Sequence, residues 1–560
     1  MVAIKIIRIK AFLRKNHLLP FALLVLSQGI FAQQTPSAGS QIQQIPAVPA
    51  PPPAETTIRI APRTAVVQPA SDEARITVQQ LHVTGARIYP PQELLALTGF
   101  QPGSSLSLSD LHAMAMAITE RYRQAGYFVA RAYLPEQEIR DASVTIAVIE
   151  GEYGEVVLRN HSLLAHDVLQ SQLAGLHPGD TVALEPLESR LLLLSDLPGV
   201  KIASTLVPGA VPGSSDLIVD VVPGQRITGS IDADNAGNRY TGEYRLGATV
   251  NLNNPAGRGD VASLRVLTAG RGLNYARASY QMPFGKATVG AAYSWLAYEL
   301  GREFRATGAT GSAQVASLYG SYPLIRSRNT NLYAGLAFDH KVFKDKNPSD
   351  PSWPVADKKG QTLTASLRGE HRDGLGHGAV TGYSLAWSTG SIDRQSPASS
   401  GRKHFDKLSY GASRLQGVTP RISLYAGIHG QVAFNNLDVS EKMELGGMYG
   451  VRAYPPGEAY ADQGHVLTLE ARLLLPTATL LPGQLQLIGF VDTGSVTLRK
   501  HPGATADNRR TLSGAGVGLN WSHSPEFLVR ASYARQLGSE AATSAPDKSG
   551  RFWIQAVKYF

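Results

Sequence analysis

Two stretches of the chain bring together side chains that could do chemistry. In "GFVDTGSV", Asp492, Thr493, Gly494 and Ser495 spell the Asp-Thr-Gly-Ser run of an aspartic protease. That chemistry needs two carboxylates sharing one proton; the chain holds a single such triplet, so a dyad would require two chains. In "EHRDGLGH", Glu370, His371, Asp373 and His377 are metal-capable, but the run also reads as a polar turn. No GxSxG elbow, HExxH zinc motif or GxxxxGK[ST] phosphate loop is present. These readings leave no catalytic residue, metal or cofactor to name. A third stretch, "LGGMYGVRAYPPGEAYADQG" (445–464), sets one arginine, Arg452, and three tyrosines, Tyr449, Tyr454 and Tyr460, in a run of turn formers between two ordinary strands. What such a loop is for depends on the elements that hold it.

The first 32 residues read as a secretory leader: Lys5, Arg8, Lys10, Arg14 and Lys15, then the apolar "LLPFALLVLSQGIFA" ending on the small Ala32. That apolar core is short of the about 20 residues a membrane helix needs. Without the five basic residues of the leader, the net charge of +9 falls to +4. No Lys/Arg cluster replaces them, which argues against nucleic acid as a partner. The chain has no cysteine, so an exported fold must stand without disulfides. It has 55 glycines, 22 tyrosines and only 17% charged residues. An exported chain of this kind, with no later apolar helix, can still cross a membrane as a closed β-barrel.

Residues 33–74 include "IPAVPAPPPAETT" and read as a proline-rich, extended linker. Two α/β modules of similar plan follow. The first, 75–151, has a helix with Leu111, Ala115, Ile118 and Tyr122 at helical spacing. Ser107 and Asp110 are placed for its capping box, and Gly126 for its stop. The second, 152–225, repeats the plan with a helix carrying Leu187, Leu191 and Leu194. From 226 to 560 helical periodicity ends and sixteen strands can be marked, with tight links after the even strands and several long polar links after the odd ones. Such sorting is the pattern of an outer-membrane barrel. The faces agree: Arg277, Ser279 and Gln281 alternate with Ala276, Ala278, Tyr280 and Met282, and Arg530 and Ser532 with Val529, Ala531 and Tyr533. Glu470 and Arg472 likewise oppose Leu469, Ala471 and Leu473. A charge facing mid-membrane lipid costs about 2–4 kcal/mol, so Glu470, Arg472 and Arg530 must face a wet lumen. The fold class is therefore α+β modules followed by an all-β, 16-stranded antiparallel transmembrane barrel. The final Phe560 lies in an alternating strand, and resembles the C-terminal signal by which outer-membrane proteins are assembled.

The chain resembles the two-partner secretion transporters of the TpsB family, which belong with the barrel-assembly proteins. The resemblance rests on "GYFVARAYLPEQEI" and "ASVTIAVIEG" in the first module and "LNNPAGRGD" after the second strand. It extends to "GGMYGVRAYPPGEAYADQG" between strands eleven and twelve, and "GFVDTGSV" in strand thirteen. It implies that the modules are periplasmic POTRA domains and that the sixth extracellular loop folds back into the barrel. It also implies a contact between Arg452 and Asp492, as a gating latch in a wet, screened lumen. Gly450, Val451, Tyr454, Pro455 and Gly457 are the loop motif, with Phe490 and Gly494 beside Asp492 on the wall. At residue 453 the wider superfamily usually has glycine, whereas this chain has Ala453. Some family members carry an N-terminal plug helix, for which "TPSAGSQIQQI" is the candidate here.

The function implied is capture of an unfolded exoprotein, a TpsA-like adhesin or haemolysin, and its passage through the lumen without a nucleotide. The other partners implied are the outer-membrane bilayer and the barrel-assembly machinery that inserts the chain. The rivals are an assembly factor that inserts its clients into the membrane and, on the Asp492-Thr493-Gly494 triplet, an aspartic-type protease. Two modules rather than a longer series favour secretion.

Overall fold

The computed structural model describes residues 36–46, 58–60, 75–349, 355–396, 399–476, 482–503 and 507–560. The leader expected over 1–32 lies outside these residues, as does most of the linker. Within the linker region the chain forms α1 (Ala38–Gln43) and β1 (Ile58–Ile60).

The first module comprises β2 (Arg75–Val78), β3 (Gln80–Thr84), α2 (Pro91–Thr98), β4 (Ser104–Ser107), α3 (Leu108–Gln124), β5 (Arg131–Tyr133) and β6 (Ser143–Ile149). The α3 stripe Leu111, Ala115, Ile118 and Tyr122 is buried against Val144, Ile146 and Val148 of β6. Its N-terminus is a capping box: the Asp110 amide donates to Ser107 Oγ at 3.1 Å, and the Ser107 amide to Asp110 Oδ2 at 2.9 Å. Gly126 leaves the helix at φ +90°, a conformation favourable for glycine. The second module comprises β7 (Glu152–Asn160), α4 (His166–Leu173), α5 (Leu184–Ser195), β8 (Val200–Pro208) and β9 (Ser214–Pro223). Leu187, Leu191 and Leu194 of α5 fill its core. Its sheet runs β1-β8-β9-β7, with β1 parallel to β8 from Ile58↔Ser204 to Ile60↔Leu206.

The barrel begins with β10 (Ile227–Asp234), β11 (Arg245–Asn253), β12 (Val261–Thr268), β13 (Leu273–Phe284), β14 (Ala287–Glu299), β15 (Thr310–Arg326), β16 (Thr330–Lys346) and β17 (Val355–Asp373). It continues with β18 (Ala379–Ser396), β19 (Ser399–Gly417), β20 (Ile422–Ala433), β21 (Gln463–Leu475), β22 (Gln484–Thr497), β23 (Arg509–His523), β24 (Phe527–Gln536) and β25 (Gly550–Tyr559). Each strand is antiparallel to the next, and β25 returns to β10 to close the sheet, which leaves no backbone edge toward lipid. The seam is short, Ser230↔Tyr559 to Asp234↔Gln555, and Phe560 extends it by exchanging backbone bonds with Gly229 at 2.9 and 3.1 Å. Leu469, Val491 and Tyr533 point outward and are exposed, as the alternation requires.

Two expectations need correction. The run "KDKNPSDPSWPVADKKGQ" (344–361), one of the long polar links expected, is not one long loop: β16 reaches Lys346 and β17 starts at Val355. Strands β15 to β19 run 17 to 19 residues, against the about 10 a bilayer needs. Antiparallel neighbours keep supplying backbone partners beyond the lipid, so the ladder continues through polar sequence. The linker is also not wholly extended. Residues 36–46 sit in the lumen, where Ala38 is buried among Leu267, Leu296 and Phe343 and its amide donates to Asp345 Oδ1 at 2.7 Å.

The second module abuts the tight turns of the barrel. The "LNNPAGRGD" turn receives the Ala165 amide on Gly257 O at 2.8 Å, Gln172 Nε2 reaches Gly285 O at 2.6 Å, and Arg326 forks onto Asp196 at 2.7 Å.

Candidate functional site

The link between β20 and β21, residues 434–462, is the sixth on the long-loop side and lies inside the barrel. Its wall is set by register. In β21 and β22, Thr468 faces Asp492 and Glu470 faces Phe490, so all four share the inner surface. Arg452 meets them there. Its Nε lies 2.7 Å from Asp492 Oδ2 and its Nη2 2.8 Å from Oδ1, a two-point fork, while Nη1 reaches Glu470 Oε1 at 3.0 Å. The guanidinium lies over Phe490, 3.4 Å from the ring centroid. Arg472 completes a charge-balanced quartet, with Nη2 2.7 Å from Glu470 Oε2, and itself covers Tyr425 at 4.8 Å. Arg530 lines the same cavity of about 700 Å³, whose opposite wall carries Gly382, Ser384 and Gly411.

The pair is more enclosed than a wet lumen implies. Asp492 is wholly buried, and the side chain of Arg452 is 13% exposed. The loop itself excludes the water. Removing one partner of such a pair strands a buried charge, at about 3–5 kcal/mol, where an exposed pair would contribute about 0–1 kcal/mol.

The loop motif shapes this approach. Val451 and Tyr454 are fully buried, and Tyr454 Oη donates to Glu540 O at 2.8 Å. A methyl group at Gly450 would strike the carbonyls of Leu445 and Gly446, and one at Gly494 would strike the Leu445 side chain. Pro455 is buried, and Gly457 turns at φ +82°. Trp553 Nε1 holds Arg452 O at 2.7 Å. Ala453 is fully buried against Gly514, so the extra methyl at this position occupies space that a glycine on the facing strand leaves.

Sequence reasoning missed most of the fastenings. On the outgoing limb, Asp438 meets Lys358 of β17 at 3.0 Å and Arg394 of β18 at 3.3 Å. Glu441 meets Lys341 of β16 at 2.6 Å and Lys407 of β19 at 3.0 Å. Burial works against the charge of Glu441, but the two lysines outweigh it and hold its carboxyl below the usual glutamate range. On the return limb, Glu458, Tyr460 and Asp462 are all buried. Asp462 binds Lys442 at 2.9 Å and the Lys500 amide at 2.8 Å. Tyr460 Oη and Glu444 Oε2 accept from Gln44 Nε2, beyond the end of α1, at 2.6 and 3.3 Å; Arg245 of β11 holds Gln44 O at 2.9 Å. Gly39 of α1 is close-packed on Ser440: an added methyl would lie 2.9 Å from its Cβ. The signal that could have found these was an inward-facing cation on each of four successive strands.

The two other chemical readings lose their groups to structure. Both oxygens of Asp492 are taken, by Arg452 and by Thr468 Oγ1 at 3.0 Å, which leaves neither to activate water. Asp373 of the "EHRDGLGH" turn binds Arg414 at 2.9 Å and accepts the Leu375 amide, while His371 meets Thr330 Oγ1.

Comparison with known proteins gives this geometry its context. The family model described as haemolysin secretion/activation protein ShlB/FhaC/HecB matches residues 213–521, and the one described as POTRA domain, ShlB-type, matches 76–151. The heme/hemopexin transporter protein HuxB of Haemophilus influenzae (strain 86-028NP) is 30% identical over 476 residues, 82% of this chain and 82% of its own. The outer membrane transporter CdiB of Dickeya dadantii is 22% identical, over 79% of this chain and 80% of its own. The structure of CdiB from Escherichia coli shares the fold, with a TM-score of 0.68 at 21% identity over 89% of this chain and 93% of that one. A closed 16-stranded barrel behind a POTRA region, matched across its length by these transporters, places the chain in the ShlB/FhaC/HecB family: it is an outer-membrane two-partner secretion transporter, its POTRA region periplasmic, that exports a TpsA-type exoprotein.

Proposed function

We propose that loop six is the gate of this secretion channel and that Arg452 and Asp492 are its latch. The observation that carries the reading is the enclosed two-point fork, which ties a 29-residue excursion, 434–462, to one spot on the wall. Two parallel bonds fix orientation as well as position. In the resting state the loop and α1 occupy the lumen. Export then requires the fork to open, the loop to move, and the unfolded exoprotein to thread past the Glu470, Arg472 and Arg530 lining.

Capture belongs to the periplasmic modules, taken as 75–151 and 152–225 behind a leader, 1–32, and a linker, 33–74, with the barrel over 226–560. An unfolded client can add a strand to a sheet edge. The parallel seating of Ile58–Ile60 on β8 supports this, since that edge already accepts an added strand. The client in this reading is a large secreted adhesin or haemolysin, and the similarity to a heme/hemopexin transporter supports one that handles heme or hemopexin. The bilayer surrounds the outward face, and the barrel-assembly machinery takes the chain in by its Phe560 end. Arg452→Ala should impair secretion of the exoprotein partner while the barrel still inserts, measured as exoprotein in the medium against heat-modifiable transporter in the outer membrane. Secretion at the starting level would remove the latch.

A further inference from the structure

Loop six carries another wholly buried carboxylate, which the fork of Arg452 does not use. Glu458 stands six residues beyond Arg452 and none of its surface is exposed. Its oxygens accept from the Thr543 amide at 3.0 Å, Thr543 Oγ1 at 2.6 Å and the Ser544 amide at 2.9 Å. They also meet Ser544 Oγ at 2.7 Å and Arg510 Nη1 at 2.5 Å. Thr543 and Ser544 belong to the last extracellular link, 537–549, between β24 and β25. Arg510, on β23, grips both loops: beside Glu458 it donates to Thr543 Oγ1 at 2.8 Å and to Ala541 O at 2.5 Å. Tyr454 on Glu540 O, and the Ser544 hydroxyl 3.1 Å from Pro456 O, close the same joint from the other side.

A carboxylate offered four neutral donors and one cation, out of water, sits in a socket built for it. Such a joint does not hold the barrel, whose strands are paired by their own ladders. It holds one loop to another. The Arg452 fork and the pairs of Asp438 and Glu441 fasten loop six to the barrel wall, whereas the Glu458 socket fastens it to a neighbouring loop as well.

We infer that Glu458 is a second latch, a positioning residue that joins loop six to the final extracellular loop, so that residues 537–549 are part of the gate and must part from loop six before anything passes. The inference rests on the reading of loop six as a gate, but it fails separately from the Arg452 latch. Arg452→Ala leaves the Glu458 socket intact, whereas the tests below leave the Arg452 fork intact.

The chain has no cysteine, so an introduced pair has no competitor. A Cβ built at Gly457 lies 3.6 Å from Ser544 Cβ, within the roughly 3.5–4.5 Å that a disulfide spans. The double variant Gly457→Cys/Ser544→Cys of the full-length transporter is purified, checked for heat-modifiable mobility, and recorded in planar bilayers in potassium chloride before and after dithiothreitol. Openings in the oxidised protein should be at least tenfold rarer than in the same protein reduced. Equal frequencies overturn the proposal. Because cysteine is strained at the positive φ of residue 457, Glu458→Gln is recorded in parallel. It keeps the shape but turns a donating amide toward the Thr543 and Ser544 donors, and openings should rise at least tenfold over the starting protein. An unchanged frequency in a folded Glu458→Gln transporter also overturns it.

Discussion

A cycle of Arg452→Ala, Asp492→Ala and the double substitution puts the Arg452 latch to a quantitative test. Arg452→Ala strands a fully buried carboxylate, left with Thr468 Oγ1 and the amide of residue 452 as partners. Asp492→Ala leaves the guanidinium a second acceptor in Glu470. Breaking a buried pair costs about 3–5 kcal/mol, so the arginine variant belongs at the upper end and the aspartate variant at the lower. At about 1.4 kcal/mol per tenfold, even 3 kcal/mol shifts the closed-to-open ratio of the loop roughly 150-fold. The double variant strands nothing and should cost less than the sum of the singles, by about 1–3 kcal/mol of coupling. The barrel ladder is untouched, so heat-modifiable mobility stays as it is. The readout is the frequency of openings in planar bilayers for the four purified proteins under one salt and voltage. With α1 still seated in each, differences report the loop. If the singles add to within about 0.5 kcal/mol and openings do not rise, Arg452 and Asp492 are neighbours without being a latch.

Three further outcomes follow from other contacts. Gly514→Ala drives a methyl into that of buried Ala453; overpacking costs about 1–3 kcal/mol, so openings should increase, and adding Ala453→Gly should reverse the effect. Glu444 has part of its surface toward the lumen but is packed round by protein, and burial raises its carboxyl to about 7, outweighing the Gly457 amide and Gln44 that favour its charged form. A carboxyl raised in the closed state favours closure at low pH, and that contribution is lost as pH rises through about 7. Openings should therefore increase between pH 5.5 and 8, with a closed-state difference on the order of 1–3 kcal/mol, and Glu444→Gln should flatten the profile. Leu469→Arg, on the outward face, should cost about 2–4 kcal/mol near mid-membrane, while Ser384→Arg on the lumen side should cost little. Urea unfolding in lipid vesicles measures both, and equal costs would mean the faces are reversed.

The barrel was legible because lipid makes period-two patterning strict. Leu469 and Leu473 cannot trade places with Glu470 and Arg472 without burying charge in hydrocarbon, so strand number and facing follow from local sequence. Helix α3 was legible for a similar reason, with its stripe, its capping box and Gly126 all within one short stretch. Helix α4 was missed because eight residues with Leu169 and Leu173 as the buried apolar face carry little periodic signal. Helix α1 lies inside "TPSAGSQIQQI", which only the family resemblance pointed to, because its own residues carry even less local signal. Its six residues, "AGSQIQ", have almost no apolar stripe, and they form a helix because Asp345 takes the Ala38 amide, Thr241 donates to Gln41, and Gly39 fits against Ser440. Those partners lie hundreds of residues away, and no local pattern encodes them. The same holds for Lys341, Lys358 and Lys407, which read locally as polar strand ends and acquire meaning only when loop six arrives between them.

The order of charges explains why so long a loop takes one seating. Along 438–462 the limb that faces β16 to β19 is acidic, the tip that faces β21 and β22 is basic, and the return limb that faces β23 is acidic again. The walls carry the complementary order: Lys341, Lys358 and Lys407, then Glu470 and Asp492, then Arg510. Moving the tip toward either neighbouring station would bring Arg452 against lysines or against Arg510, and would leave Asp492 buried without its cation. Like charges and stranded charges both penalise the wrong register more than the right one gains. Buried ion pairs add little net stability, since desolvation offsets most of their attraction. Their use in this lumen is selection: a loop held by apolar packing alone could slide, whereas one keyed by alternating charge either sits in its place or comes away. An all-or-none choice of that kind is what a gate requires.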